Sequence, residues 1–124
     1  MAALFEIHRS LSNTLWMFYL LLALWGLWRA VRGEAVAGSY FGAIAVVQIV
    51  VLVQGLLGGF LYFSTGARPE RELVHYLYAA FSVVFLPGLF AYLRGDDSNQ
   101  AMWIYALASL FMFGVILRIM GTAT

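Results

Sequence analysis

Four long apolar stretches run along the chain, Leu11–Trp28, Phe41–Phe63, Leu73–Leu93 and Ala101–Leu117. Each is close to the roughly 20 residues that carry an α-helix across a hydrocarbon core about 30 Å thick. The breaks between them are short and polar. They hold Gly33 and Glu34, then Thr65, Gly66, Ala67, Arg68, Pro69 and Glu70, then Gly95, Asp96, Asp97, Ser98, Asn99 and Gln100, which are residues that stop helices and build turns. Backbone facing lipid must satisfy its own hydrogen bonds, so each stretch predicts a helix antiparallel to its chain neighbours. Residues 1–124 therefore read as a single all-α unit, an integral membrane antiparallel four-helix bundle.

Composition strengthens that reading. The chain is 64% hydrophobic and 10% charged, too little polar surface to sheath an apolar core in water, so the lipid bilayer is its solvent. Glu6, His8 and Arg9 stand before the first span, where a cleaved leader would carry a basic segment, so the first helix is expected to be retained. Cysteine is absent, which excludes disulfides, thiolate metal sites and covalent haem attachment through C-x-x-C-H. A formal net charge of +1 offers no basic face for nucleic acid. No phosphate-binding loop, Ser-His-Asp arrangement or H-E-x-x-H motif is present, so hydrolytic and nucleotide-dependent functions have no support, and no catalytic residue is assigned.

Four spans place both termini and the second connection on one side of the membrane. Arg9, Arg68, Arg71 and Arg118 fall on that terminal side, with Arg29, Arg32 and Arg94 opposite. Four against three leaves orientation undecided by charge. Depth is more informative. His8 precedes Arg29 by 21 residues and His75 precedes Arg94 by 19, and at a rise of about 1.5 Å per residue each interval spans roughly 30 Å. Both imidazoles thus fall at one level near the terminal-side interface, on the first and third helices. The two hairpins look like a weak repeat.

Two histidines at one depth on non-adjacent helices suit bis-imidazole ligation of a haem, with His8 and His75 as the metal ligands and apolar walls around the macrocycle. Arg9, Arg68, Arg71 and Arg118 are the cations available to its propionates. The competing reading makes both histidines interfacial residues without a ligand. Gln48 and Gln54 on the second helix lead to Gly55, Gly58 and Gly59, where missing side chains leave room for a flat ligand or for close helix packing. Gly38 and Gly42 form a G-x-x-x-G pair, and Pro87, followed by Gly88, is expected to kink the third helix. Trp16, Trp25, Trp28, Trp103, Tyr40, Tyr62, Tyr76 and Tyr92 read as an interfacial aromatic belt, and Glu6, Glu70 and Glu72 as solvated acids.

Glu6–Ile7–His8–Arg9 opening one helix, Gln54–Gly55–Leu56–Leu57–Gly58–Gly59 closing the next and His75 opening the third together resemble one four-helix half of the haem A synthase family. The likeness covers nearly the whole chain. That family joins two such halves, each with a histidine pair on its first and third helices, and acts on haem O while holding haem B. The resemblance implies that His8 and His75 are axial ligands, that Arg9 is the arginine beside the first, and that Gln54 with Gly55, Gly58 and Gly59 walls the pocket. It also implies that the histidine side faces the extracytoplasmic space of a prokaryotic inner (plasma) membrane. Glu6 stands two residues before His8 where the family's functional acid stands three before, and the family's loop cysteine pair is missing. With one bundle in place of two, oxidation of haem O by this chain alone is not expected.

The resulting expectation is a haem-B-binding, cytochrome-like electron-transfer protein, a subunit of a larger energy-transducing complex whose partners are other membrane subunits or a second copy. The alternatives are a cofactor-free accessory subunit of a respiratory or photosynthetic complex, and a haem-modifying enzyme formed by dimerisation. A transporter has the least support, because the spans offer few polar residues to line a path.

Overall fold

The structure, a computed structural model, describes residues 2–66 and 72–122, the side chains of Ala2, Glu72 and Thr122 aside. Four helices follow one another: α1 (Ala2–Val31), α2 (Gly38–Thr65), α3 (Glu72–Leu93) and α4 (Asn99–Thr122). All four are long and apolar enough to cross a membrane. The fold is an all-α, antiparallel four-helix membrane bundle. Its helices outrun the apolar stretches that announce them, α1 most of all, with 30 residues and a length of about 45 Å. The reason is simple: hydropathy marks the part of a helix that meets hydrocarbon, while hydrogen bonding continues into the interface. His8 therefore sits well inside α1, beyond its first turn, and does not precede it.

Helix ends are set by local chemistry. The N–H of Gly66, at φ +70°, closes α2 by donating to the Tyr62 carbonyl. Arg94, at φ +54°, is a non-glycine residue in the same left-handed region, just past α3. At the start of α4, Ser98 Oγ accepts the N–H of Ala101, the usual serine cap. The loops opposite the termini are tied together: Val36 N–H donates to the Asp97 carbonyl, Asn99 Nδ2 to the carbonyls of Ala30 and Glu34, and Arg29 pairs with Glu34 at 3.1 Å.

Among the described residues, each helix packs on its two chain-order neighbours, α4 closing back on α1, so α1 and α3 face each other across a diagonal. The α1–α4 seam is the most intimate and the α2–α3 seam the least. Small residues explain the first. Ala23, Gly26 and Ala30 share one stripe of α1, and a Cβ added at Gly26 would stand 2.7 Å from Tyr40 Oη and 2.9 Å from Ala106 Cβ. By contrast, added Cβ atoms at Gly38 and Gly42 would meet nothing, so that G-x-x-x-G pair is not a helix contact. Tyr40 also departs from the aromatic belt. It is fully buried, donates to the Leu22 carbonyl and lies beside Ser109 Oγ, whereas Trp28 and Tyr92 are largely exposed, as belt residues are.

The middle of the bundle carries a polar tie. Tyr19 Oη donates to Gln48 Oε1 at 2.8 Å, and Gln48 Nε2 is shared between the carbonyls of Ser82 (3.3 Å) and Val83 (3.4 Å). Pro87 has no N–H to give the carbonyl four residues before it, which is that of Val83. Gln48 supplies the missing donor from α2.

Candidate functional site

His8 and His75 lie at the terminal end of the bundle on the diagonal pair α1 and α3, near enough to interact electrostatically. Both are half-buried. α2 comes up against His8 with Gly58: a Cβ there would lie 3.4 Å from His8 Cε1 and 4.0 Å from Nε2, so the imidazole fills the space that a larger residue would take. Gln54, one turn earlier, donates from Nε2 to the His8 carbonyl (2.7 Å) and to Ser12 Oγ (2.6 Å). Ser12 Oγ in turn donates to the His8 carbonyl at 3.1 Å. His8 Nδ1 and Gln54 Oε1 are buried and make no hydrogen bond among the described residues.

His75 is held from α4, its Nδ1 lying 3.3 Å from the carbonyl oxygen of Ile119. Tyr76 beside it packs edge-on against Tyr62 of α2 at 5.9 Å between ring centres. Thus α2 positions one histidine and α4 the other.

The remaining expected site residues divide. Gly55 and Gly59 are not helix contacts, since a Cβ at either would meet nothing within 4 Å. The absence of a side chain is read easily from sequence, but not the face it lies on. Arg9 is exposed and only 3.9 Å from Glu6, itself exposed. Arg118 is exposed and forms no ion pair among the described residues. Arg68 and Arg71 lie outside the described residues, as does Glu70. Sequence reasoning missed Ser12, whose position one turn after His8 is the signal that would have found it. It also missed the Ile119 carbonyl, for which a side-chain sequence carries no sign.

A groove of about 340 Å³ opens along α3 between Val74, Leu77, Tyr78 and Phe81. It lies on the side bearing the exposed Val74 and Leu77, and none of the described candidate residues lines it. No group of three or more His, Asp or Glu side chains is gathered among the described residues. A metal at His8 and His75 would therefore need most of its ligands from elsewhere, and a porphyrin brings four nitrogens of its own. Comparison with known protein families, with characterised proteins and with solved structures gives no match to this chain.

Proposed function

We propose that the chain is a membrane haem-B-binding electron carrier, ligated by His8 and His75 and working as a subunit of a larger energy-transducing complex. The observation that carries the reading is one arrangement: two imidazoles on diagonally opposed helices at the same end of the bundle. Each is braced by a different neighbouring helix, and one lies against a glycine.

The residues fit the group. His8 and His75 would provide the axial nitrogens, and Gly58 keeps the flank of His8 free of a side chain. Arg9 and Arg118 would meet propionates at the interface without having to leave a strong ion pair, and Arg68 and Arg71 carry the same expectation from the sequence. A bound haem would supply a one-electron carrier, its potential set by ligation, burial and local charge. The likeness to one half of the haem A synthase family points the same way and suggests a prokaryotic plasma membrane with the histidine side extracytoplasmic.

The test is a reduced-minus-oxidised difference spectrum of protein purified after haem-replete expression. Sharp cytochrome b bands in the wild type, lost in His8→Ala and in His75→Ala, are expected. A wild-type protein without a Soret band would remove the proposal and leave the cofactor-free accessory subunit as the reading to pursue.

A further inference from the structure

We propose that the Val83–Pro87 turn of α3 is a joint locked from the neighbouring helices by Gln48 and Tyr19, and that this lock sets where His75 stands relative to His8. Its value to a haem rests on the ligand reading above; the joint itself does not.

Three features weaken α3 along one stretch. Pro87 has no N–H, so the carbonyl of Val83 lacks its donor within the helix. Gly88 follows it, adding no side chain to stiffen the next residue. One turn earlier, Ser82 Oγ donates to the Tyr78 carbonyl at 2.8 Å, a back-bond of the kind that bends helices. Within a span, a bare carbonyl is costly unless the protein supplies a donor. Gln48 of α2 supplies it, with Nε2 3.3 Å from the Ser82 carbonyl oxygen and 3.4 Å from that of Val83. Carbonyls only accept, so the amide must turn its NH2 group to α3 and its oxygen to α1, where Tyr19 Oη donates to it at 2.8 Å. Both side chains are buried, so the bonds run from α1 through α2 to the weak turn of α3 without solvent.

The seam that this lock spans is otherwise the loosest in the bundle. Gly55 and Gly59 lie seven and eleven residues after Gln48, on the same side of α2, and a Cβ at either would meet nothing within 4 Å. Further on, Tyr62 of α2 packs edge-on against Tyr76 of α3. Toward α4, the histidine half of α3 is held by His75 at the Ile119 carbonyl and by Phe81 and Phe85 against Phe111. Its angle to α1 and α2 is left to the lock. His75 stands eight residues before Val83, about 12 Å along the helix. A bend of about 10° at the joint therefore displaces it by about 2 Å, well beyond the roughly 0.5 Å within which a binding constellation must be held. Gln48 and Tyr19 are thus positioning residues, acting through α3.

The chain has no cysteine of its own, so a pair of spin labels can be placed on it without further change. Double electron–electron resonance on the haem-free full chain in detergent reads the angle from labels at Ser10→Cys of α1 and Leu73→Cys of α3, both exposed. The labelled parent should give one narrow distance, and Gln48→Leu should broaden it or shift it by about 2 Å or more. Adding Pro87→Ala, which returns to Val83 a donor from its own helix, should restore the narrow distance. An unchanged distribution in Gln48→Leu overturns the proposal, and so does a change that Pro87→Ala fails to reverse. A second pair, Ser10→Cys and the exposed Leu117→Cys of α4, should stay narrow throughout. Equal broadening there would mean that Gln48 supports the whole bundle, which also overturns the joint. In unlabelled, haem-loaded protein, Gln48→Leu should lower haem retention and Pro87→Ala should recover it. Altered distances with unaltered retention would sever the joint from the site. A wild-type chain that binds no haem would refute the cytochrome reading alone, since the joint is read in its absence.

Discussion

Gly58 and Gly59 are neighbours in sequence with different surroundings. A Cβ at Gly58 would touch the His8 ring, whereas one at Gly59 would meet open space. Gly58→Leu should therefore overpack the site, costing roughly 1–3 kcal/mol, while Gly59→Leu should leave haem-free stability nearly unchanged. Denaturation of both variants in one detergent checks the contrast, and equal losses would contradict it. Gly26→Leu should be harsher than Gly59→Leu for the same reason, because Tyr40 Oη and Ala106 Cβ already occupy the space. At this scale the sequence was partly legible. That His8 and His75 share one end of the bundle was there to be counted. Gly26 was overlooked because a single glycine among Trp25, Leu27 and Trp28 carries no sign of the helix it faces. The Ser12–Gln54 bond joins residues 42 apart, a pairing that only the packing of α1 on α2 determines.

At the scale of elements, α1 and α4 form the tight half of the bundle, and α3 presents most of its surface outward. Gln48 is then a principal tie between α3 and the rest, joining Tyr19 of α1 to the carbonyls of Ser82 and Val83. Gln48→Leu should leave the buried Tyr19 hydroxyl and the Val83 carbonyl without partners, at a cost of about 1–3 kcal/mol for each orphaned group. Tyr19→Phe should be milder, because it removes a donor while Gln48 keeps its bonds to α3. Thermal unfolding followed by circular dichroism orders the two, and a Tyr19→Phe loss larger than that of Gln48→Leu would contradict the tie. Helix number and type were legible because a membrane leaves the backbone few options. Helix ends were not: α1 begins nine residues before its apolar stretch, since Glu6, His8 and Arg9 tolerate an interfacial helix as readily as a loop. Which helices pack closely was hidden as well, because alanine and glycine are spread through all four spans.

At the scale of the molecule, the antiparallel bundle puts the histidine end and the Arg29–Glu34 end at opposite membrane faces. Single cysteines at Ser64 and at Asp97 should label from opposite sides of sealed vesicles, and labelling from the same side would refute the topology. If the histidine end closes on one iron through both imidazoles, as proposed, electron paramagnetic resonance of the oxidised, purified protein will report that ligation. A low-spin ferric signal of bis-imidazole type is expected in the wild type, replaced by a high-spin signal or lost in His8→Ala and in His75→Ala. Under this ligation the low-spin signal should survive in Arg9→Gln and Arg118→Gln, which would meet propionates and not the iron. A wild-type spectrum without low-spin ferric iron, or one unchanged by loss of either histidine, would contradict it.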